Sequence, residues 1–150
     1  MTIELAVAIH DVSGEYSRHA GVALHPLLSQ ASRPVRAHIL HDATLTDENR
    51  RRLRKIAEAA GAGIAFYPVQ LPAEWAAVST GAYTPGILFR LLTPQLLPVD
   101  KLLYFDCDIV CRLDIAALWR EPLSGRPIAA VPDRGVTERD ADHQLRLRKA

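Results

Sequence analysis

The sequence predicts an α/β fold, in which a mostly parallel β-sheet is flanked by helices. Short apolar runs alternate along the chain with segments whose apolar residues recur at the helical period. Turn-forming and polar residues follow several of the apolar runs, as they do where strands end at the edge of a sheet. The 150 residues, of which 49% are hydrophobic, suit one ordinary globular domain or half of a larger one. The alternation favours parallel strands joined by helical crossovers.

Four elements are predicted in the N-terminal part of the chain. Residues 4–10 form a buried strand that ends in a polar turn, and residues 17–30 form a helix that Pro26 bends or interrupts. Residues 35–40 form the second strand. Thr46 then caps the second helix, because acidic residues occupy its first turn and apolar residues recur at the helical spacing. The chain therefore begins as strand, helix, strand, helix.

Three more strands are predicted in the C-terminal part, over residues 64–69, 101–105 and 127–131. An irregular connection covers residues 70–82, and a helix begins at Pro85 because proline is favoured at the first helical position. Ligands bind parallel sheets outside the carboxyl ends of the strands. The polar residues that follow the first and fourth strands are therefore the candidate site.

The charge balance argues against binding of nucleic acid through a general positive field. Eighteen Lys and Arg against 17 Asp and Glu leave a formal net charge of +1. No apolar stretch approaches the roughly 18 residues of a spanning helix, so we expect no transmembrane segment and a cytoplasmic location. The basic residues between positions 50 and 55 are interpreted as a solvated helix face, with peripheral membrane contact as the minor alternative. Cys107 and Cys111 are expected to be reduced packing residues.

Two carboxylates, Asp106 and Asp108, follow the fourth predicted strand. At positions i and i+2 of an extended segment they can point to the same side, an arrangement that holds one hard cation such as Mn²⁺ or Mg²⁺. The residues alone leave open the alternative of an exposed turn at the end of the strand. A second pair, Asp140 and Asp142, lies in a charged stretch with no preceding strand and is interpreted as solvated surface. Neither the glycine-rich dinucleotide fingerprint nor the P-loop pattern is present in the sequence.

The segment LLYFDCDIV, preceded by FRLL and a proline-bounded LLP segment, resembles the LYLDxD region of family 8 glycosyltransferases. These are retaining enzymes of the GT-A, Rossmann-like fold, and they include lipopolysaccharide galactosyltransferases and glycogenin. The resemblance extends over nearly the whole chain. It implies a metal-dependent hexosyltransferase that uses a nucleotide sugar, usually a UDP sugar, and a saccharide or glycoconjugate acceptor, as in lipopolysaccharide biosynthesis. It also implies that residues 1–150 are a single truncated domain that carries the donor and metal half of the site.

The resemblance assigns roles to the residues that match the family's motifs. It implies that Asp106 and Asp108 coordinate Mn²⁺, or Mg²⁺, on the diphosphate of the donor. Arg90 matches the arginine of the family's Y-x-R-L motif and is the implied catalytic residue. The implied donor-binding residues are Ala8, His10, Asp11, Tyr16, Arg90, Asp106 and Cys107. The family's histidine ligand and its diphosphate-binding lysine belong to a more C-terminal part, and His143 comes too early to be that ligand.

Two of these assignments retain an alternative. Tyr16 either packs its ring on the base or covers the core at the start of a helix. Arg90 either contacts the donor or forms only a salt bridge to one of the two carboxylates. The sequence also departs from the family's pattern, because the loop after the first strand is longer and Leu88 replaces the motif tyrosine. Phe89 is expected to supply part of the lost aromatic surface.

Two other functional classes are compatible with the same residues. The first is a non-catalytic module that binds a nucleotide sugar. The second is a phosphatase of the haloacid dehalogenase type, in which Asp106 attacks phosphorus and Asp108 acts as acid and base. The phosphatase motif usually opens its domain, whereas three strands are predicted before Asp106 in this chain.

Overall fold

The structure is a computed structural model that describes residues 1–77 and 84–131. The chain forms two compact units, Met1–Arg120 and Glu121–Ala150, and every helix and strand described lies in the first unit. The strands are β1 (Ile3–Ile9), β2 (Val35–His41), β3 (Gly63–Pro68) and β4 (Leu103–Tyr104). The α-helices are α1 (Tyr16–Ser29), α2 (Asp47–Ala59), α3 (Thr93–Leu96) and α4 (Ala116–Arg120). Two 3₁₀ helices cover Ala73–Ala77 and Pro85–Leu92.

The four strands form one sheet in the order β3, β2, β1, β4, and all the pairings are parallel. β1 pairs with β2 along its whole length, from Ile3 to Ile9, whereas β4 pairs with β1 only through Leu103 and Tyr104. The chain moves outward from β1 through β2 to β3 and then crosses to the other side of β1 to form β4. A crevice is expected at the carboxyl ends of β1 and β4, where the strand order reverses. The predicted α/β fold with a parallel sheet is confirmed.

Each face of the sheet is covered by different elements. α1 and α2 contribute to a core on one face together with alternate residues of β1 and β2; it includes Leu5, Val7, Ile9, Leu24, Leu27, Ile39 and Leu53. The second 3₁₀ helix contributes to the core on the other face, which includes Ala6, Ala8, Leu40, Phe89, Leu92 and Leu97. β1 is buried on both faces, which explains its almost continuous apolar sequence.

A chain of polar side chains crosses the sheet near the start of β1. The ring of His38 is buried, with its Nε2 atom 2.7 Å from Oε2 of Glu4 and its Nδ1 atom 3.0 Å from the hydroxyl of Tyr67. Both nitrogens of this ring are therefore engaged. The network satisfies a polar side chain in a region where an unpaired donor or acceptor would be costly.

The two long helices begin in different ways. Thr46 caps α2 as predicted, because its hydroxyl accepts a hydrogen bond from the amide of Asn49 over 3.2 Å. α1 lacks such a cap from the preceding residue, and its first amide, that of Tyr16, instead donates to Oδ1 of Asp11 over 2.8 Å. α1 also continues through Pro26 without ending. Within the described ranges, no helix is both long and apolar enough to cross a membrane.

The basic face of α2 is exposed to solvent. Arg51 and Arg52 both pair with Glu48, over 2.7 Å and 3.0 Å. Part of the positive charge of this face is therefore neutralised within the helix itself, as is common for i, i+3 and i, i+4 pairs.

The predicted fifth strand over residues 127–131 is wrong. These residues have no regular structure, and the side chains of Ile128 and Val131 are 76% and 89% exposed. Residues 127–131 follow a turn in which the amide of Arg126 donates to the carbonyl of Leu123. An apolar run forms a strand only where a neighbouring strand accepts its backbone hydrogen bonds, and none of the strands described pairs with it.

The other differences concern element bounds. The predicted fourth strand, residues 101–105, is reduced to Leu103–Tyr104, and the helix predicted from Pro85 begins as a 3₁₀ helix. Residues 78–83 and 132–150 lie outside the described residues; the second range contains Asp140, Asp142 and His143.

We predict that Thr46→Ala destabilises the protein by about 1 kcal/mol, because it removes the oxygen that accepts a hydrogen bond from the first turn of α2. Urea unfolding followed by circular dichroism measures the change in the free energy of unfolding. Thr46→Ser keeps the hydroxyl and is the matched control. Equal stability of the alanine variant and the parent chain would show that this cap contributes nothing.

Candidate functional site

The candidate site lies at the carboxyl ends of β1 and β4. His10 and Asp11 follow β1, while Asp106 and Asp108 follow β4. β1 and β4 are neighbouring parallel strands, so both pairs lie at the same edge of the sheet. The parallel pairing of β1 with β4 thus brings together residues that are almost a hundred positions apart in the chain.

In the segment after β4, the charged side chains are exposed and the thiol is buried. The amide of Phe105 still donates to the carbonyl of Ala6 over 3.0 Å, and a turn follows at residues 107 and 108. Asp106 and Asp108 are exposed, whereas Cys107 between them is buried and donates through Sγ to the carbonyl of Ala8 over 3.4 Å. The thiol therefore anchors the segment to β1 while the two carboxylates face solvent.

Arg90 holds one of these carboxylates. Its Nη2 atom lies 2.7 Å from Oδ1 of Asp106, and its Nε atom donates to the carbonyl of Ile87 over 3.1 Å. Its guanidinium lies over the ring of Tyr104, 4.9 Å from the ring centroid. The salt bridge considered for Arg90 is thus present in the structure, and the second 3₁₀ helix positions the side chain that makes it.

The aromatic surface beside Arg90 comes from Tyr104 and not from Phe89. The side chain of Phe89 is only 1% exposed and packs in the core beneath the second 3₁₀ helix. The expectation for Phe89 is therefore wrong, because the turn of this helix directs residue 89 towards the sheet. Tyr104 was missed as a site residue because it belongs to the predicted strand itself.

Tyr16 begins α1 beside the carboxylate segment. Burial raises the pKa of its hydroxyl to about 12, with further contributions from electrostatic interactions with Cys107, Asp108 and Asp106 and from a hydrogen bond to Cys107. The hydroxyl is therefore protonated at neutral pH and lies close enough to sense both carboxylates. Tyr16 as a whole residue is 37% exposed and belongs to neither core cluster, which favours an open surface over a covering of the core.

Asp11 organises the loop between β1 and α1. It is only 2% exposed, and its two oxygens accept hydrogen bonds from the amide of Tyr16 over 2.8 Å and from Nδ2 of Asn49 over 3.1 Å. Asn49 also donates to the carbonyl of Gly14, which has a positive φ of 78°. Oδ1 of Asp11 thus fixes the backbone of Tyr16, while Oδ2 joins the same loop to α2 through Asn49.

The ring of His10 is held by Asp42, the residue that follows the neighbouring strand β2. Its Nδ1 atom lies 2.6 Å from Oδ2 of Asp42, and Oδ1 of Asp42 accepts from both the amide and the hydroxyl of Thr44. Burial acts to raise the pKa of Asp42, but the hydrogen bonds from Thr44 and His10 outweigh it and hold that pKa below its usual value. Asp42 is therefore a carboxylate at neutral pH.

His10 also makes a close contact with the second 3₁₀ helix. A Cβ atom placed on Gly86 would lie 2.8 Å from Cβ of His10, so only glycine allows this approach. Arg90 lies in the same helix as Gly86. The close contact of Gly86 with His10 therefore fixes how near this helix, and with it Arg90, lies to the end of β1.

Sequence reasoning missed Asp42, Thr44 and Asn49 in this region. A signal for the first two was present, because both follow β2 at the same edge of the sheet and polar residues after a strand had been used to find the other candidates. Asn49 carried no such signal, since it lies in the first turn of a helix on its buried side.

The two carboxylates fit a divalent cation whose other ligands are water and a phosphate of the substrate. Among residues 1–77 and 84–131, no group of three or more His, Cys, Asp or Glu side chains is placed to hold a metal ion. Mg²⁺ and similar hard cations, however, commonly use one or two carboxylates together with water and substrate phosphates. The exposed oxygens of Asp106 and Asp108 match that requirement.

The all-parallel sheet and its flanking helices define the chain as an α/β protein of the GT-A, Rossmann-like class. The structure is similar to that of the galactosyltransferase LgtC in complex with donor and acceptor sugar analogs, with a TM-score of 0.78 and 21% sequence identity. The superposition covers 98% of this chain and 51% of that one. Residues 8–150 match the family described as glycosyl transferase family 8. The chain belongs to that family.

Two curated relatives are similar in sequence. General stress protein A of Bacillus subtilis (strain 168) is 29% identical over 129 residues, which cover 83% of this chain and 45% of the relative. Lipopolysaccharide 1,2-glucosyltransferase of Escherichia coli (strain K12) is 33% identical over 85 residues, which cover 55% of this chain and 25% of the relative. The chain thus spans less than half the length of either relative.

We predict that iodoacetamide at pH 8 leaves Cys107 unmodified in the folded protein. Burial, together with the charges of Asp106 and Asp108, outweighs a hydrogen bond from Tyr16 and raises the pKa of this thiol to about 12. Roughly one thiol in ten thousand is then the reactive thiolate at pH 8. Mass spectrometry of the Cys111→Ser variant isolates this thiol, and the same variant unfolded in guanidinium is the control. Rapid labelling of the folded variant would contradict the prediction.

Proposed function

We propose that this chain is the donor- and metal-binding half of a retaining glycosyltransferase that transfers a hexose from a nucleotide sugar. The observation that carries the proposal is the pair of exposed carboxylates, Asp106 and Asp108, at the edge of the sheet where the neighbouring strands β1 and β4 end. Membership of family 8 supports the reaction class. The fraction of the relatives that the chain covers supports the assignment of one half of the site.

Asp106 and Asp108 are the residues proposed to hold Mn²⁺ or Mg²⁺. Such an ion, when bound, supplies positive charge that neutralises the diphosphate leaving group. Both carboxylates are exposed to solvent, so neither incurs the desolvation cost of a buried charge before the cation binds. The pairing with Arg90 already keeps Asp106 in place before any ligand binds.

Arg90 is proposed to be the catalytic residue of this half. It lies beside the carboxylates, and its guanidinium has several donors in a fixed plane, of which Nη2 faces Asp106 and Nε faces the backbone. The remaining donors suit oxygens of the sugar or the diphosphate. A fixed positive group at this position stabilises negative charge that develops on the leaving diphosphate.

The remaining predicted residues are proposed to bind the donor, with UDP as its nucleotide. Tyr16 offers a partly exposed ring for packing against the base, and Asp11 fixes that ring through the start of α1. Ala8 and Cys107 are small, buried residues at the end of β1, and the protonated thiol of Cys107 is bonded to the carbonyl of Ala8. His10 follows β1 at the same edge of the sheet.

The proposed acceptor is a hydroxyl of a saccharide or glycoconjugate, as in lipopolysaccharide biosynthesis. This proposal is supported by the E. coli relative, whose name describes a lipopolysaccharide glucosyltransferase. We place the reaction in the cytoplasm, in keeping with the two free cysteines. The family assignment favours sugar transfer over the phosphatase alternative.

We predict that UDP binds in the presence of Mn²⁺ and that Asp106→Asn and Asp108→Asn each weaken this binding at least about tenfold. The expected loss follows from removing one of two charged ligands to the cation. Isothermal titration calorimetry with and without Mn²⁺ measures the affinity. Asp100→Asn removes an exposed carboxylate from the loop before β4 and is the matched control for net charge.

Unchanged affinity in both site variants would contradict the metal assignment. A transfer assay then separates the enzyme from the non-catalytic binding module. We expect residues 1–150 to bind the donor but to transfer little sugar by themselves. Efficient transfer by this chain alone would contradict the assignment of only half of the site.

A further inference from the structure

The guanidinium of Arg90 is held by two contacts that involve neither of the two exposed carboxylates. Its Nε atom donates to the carbonyl of Ile87 over 3.1 Å, within the second 3₁₀ helix. Its Cζ atom lies 4.9 Å from the centroid of the Tyr104 ring, which is within the range of a cation–π contact. The third contact, from Nη2 to Oδ1 of Asp106 over 2.7 Å, can therefore change without releasing the guanidinium.

The ring of Tyr104 is fixed by the fold. Tyr104 is one of the two residues of β4, where it pairs with Ala6 of β1, and its side chain packs against the core on that face of the sheet. The second 3₁₀ helix, which contains Arg90, contributes Phe89 and Leu92 to the same core. The ring and the guanidinium thus belong to elements that pack together, and their contact determines where the positive charge lies.

A positive charge fixed beside Asp106 acts in opposite directions on a divalent cation and on a diphosphate. The guanidinium occupies one oxygen of Asp106 and repels a cation that approaches this carboxylate. It attracts the negative charge of a diphosphate. The side chains of Arg90 and Asp106 are 37% and 49% exposed, so water and salt weaken both effects without removing them.

We propose that Tyr104 is a positioning residue that holds Arg90 against Asp106, so that the site disfavours a free divalent cation and admits the cation together with a diphosphate. The inference rests on the proposed function, which places both groups at these carboxylates. Once a diphosphate has bound, its negative charge offsets the repulsion between the guanidinium and the cation. Each component then raises the affinity of the site for the other by the same factor.

Arg90→Met tests the charge, because it removes the guanidinium and keeps an unbranched side chain. We expect the variant to bind Mn²⁺ alone at least about threefold more tightly than the parent chain, the effect of one exposed ion pair. Electron paramagnetic resonance of free Mn²⁺, recorded on the full chain without nucleotide, measures this affinity. The factor by which UDP strengthens binding of Mn²⁺ should fall by a similar amount, and Mn²⁺–UDP pairing in solution is the same for every variant.

Arg33→Met is the matched control for the loss of one arginine. Arg33 is exposed and lies before β2, at the opposite edge of the sheet from the two carboxylates. Its replacement removes the same charge at a distance from the site. It should therefore change neither the affinity for Mn²⁺ alone nor the effect of UDP on that affinity.

Two variants of Tyr104 test its role in positioning Arg90. Tyr104→Leu removes the ring and keeps an apolar side chain in the core, with Tyr104→Met as the second replacement if the leucine variant fails to fold. Either variant should bind Mn²⁺ alone more tightly, as Arg90→Met does, whereas a purely structural role of the ring would weaken binding. Tyr104→Phe keeps the face of the ring and should match the parent chain.

Unchanged affinity for Mn²⁺ alone in Arg90→Met, or weaker binding in the variants that lack the ring, would overturn the inference. So would a Tyr104→Phe variant that behaves like Tyr104→Leu. In each of these cases Mn²⁺-dependent binding of UDP to the parent chain still supports the proposed function. Absence of such binding in the parent chain would overturn both.

Discussion

The position of β1 between β2 and β4 is the constraint on which the candidate site depends. Parallel pairing on both sides forces the carboxyl ends of the three strands to the same edge. The carbonyl groups of Ala6 and Ala8 then receive hydrogen bonds from the segment after β4, and the loop that leaves β1 places Asp11 at the start of α1. Although β4 contributes only two paired residues, these contacts extend its attachment to β1 up to the thiol of Cys107.

In the candidate site the charged carboxylates are exposed to solvent, whereas the titratable groups that are affected by burial are neutral. Groups that would be costly to bury as ions, the thiol of Cys107 and the hydroxyl of Tyr16, are kept neutral by pKa values raised to about 12. The two carboxylates are exposed, and one of them pairs with Arg90. Two like charges can therefore lie two residues apart in the chain without the desolvation cost that burial would impose.

Local signals in the sequence predicted most of the fold. The cap, acidic first turn and apolar spacing of α2 lie within about fifteen residues of one another, and the structure has that helix where it was predicted. The strand prediction for residues 127–131 was wrong because a strand depends on a pairing partner elsewhere in the chain, which its own residues do not specify. The strand-end rule found the carboxylates but not the partner of His10, because Asp42 lies 32 residues away and meets it only through the register of β1 with β2.

The two histidine–carboxylate pairs of the sheet show how similar chemistry can serve different purposes. Near the start of β1, the ring of His38 has Glu4 at one nitrogen and Tyr67 at the other, so it is fully occupied in joining three strands. At the end of the same strand, Asp42 occupies a single nitrogen of His10. A ring with both nitrogens engaged can only stabilise the sheet. The other nitrogen of this ring, at the edge where the strand order reverses, makes no hydrogen bond to any residue in the ranges 1–77 and 84–131.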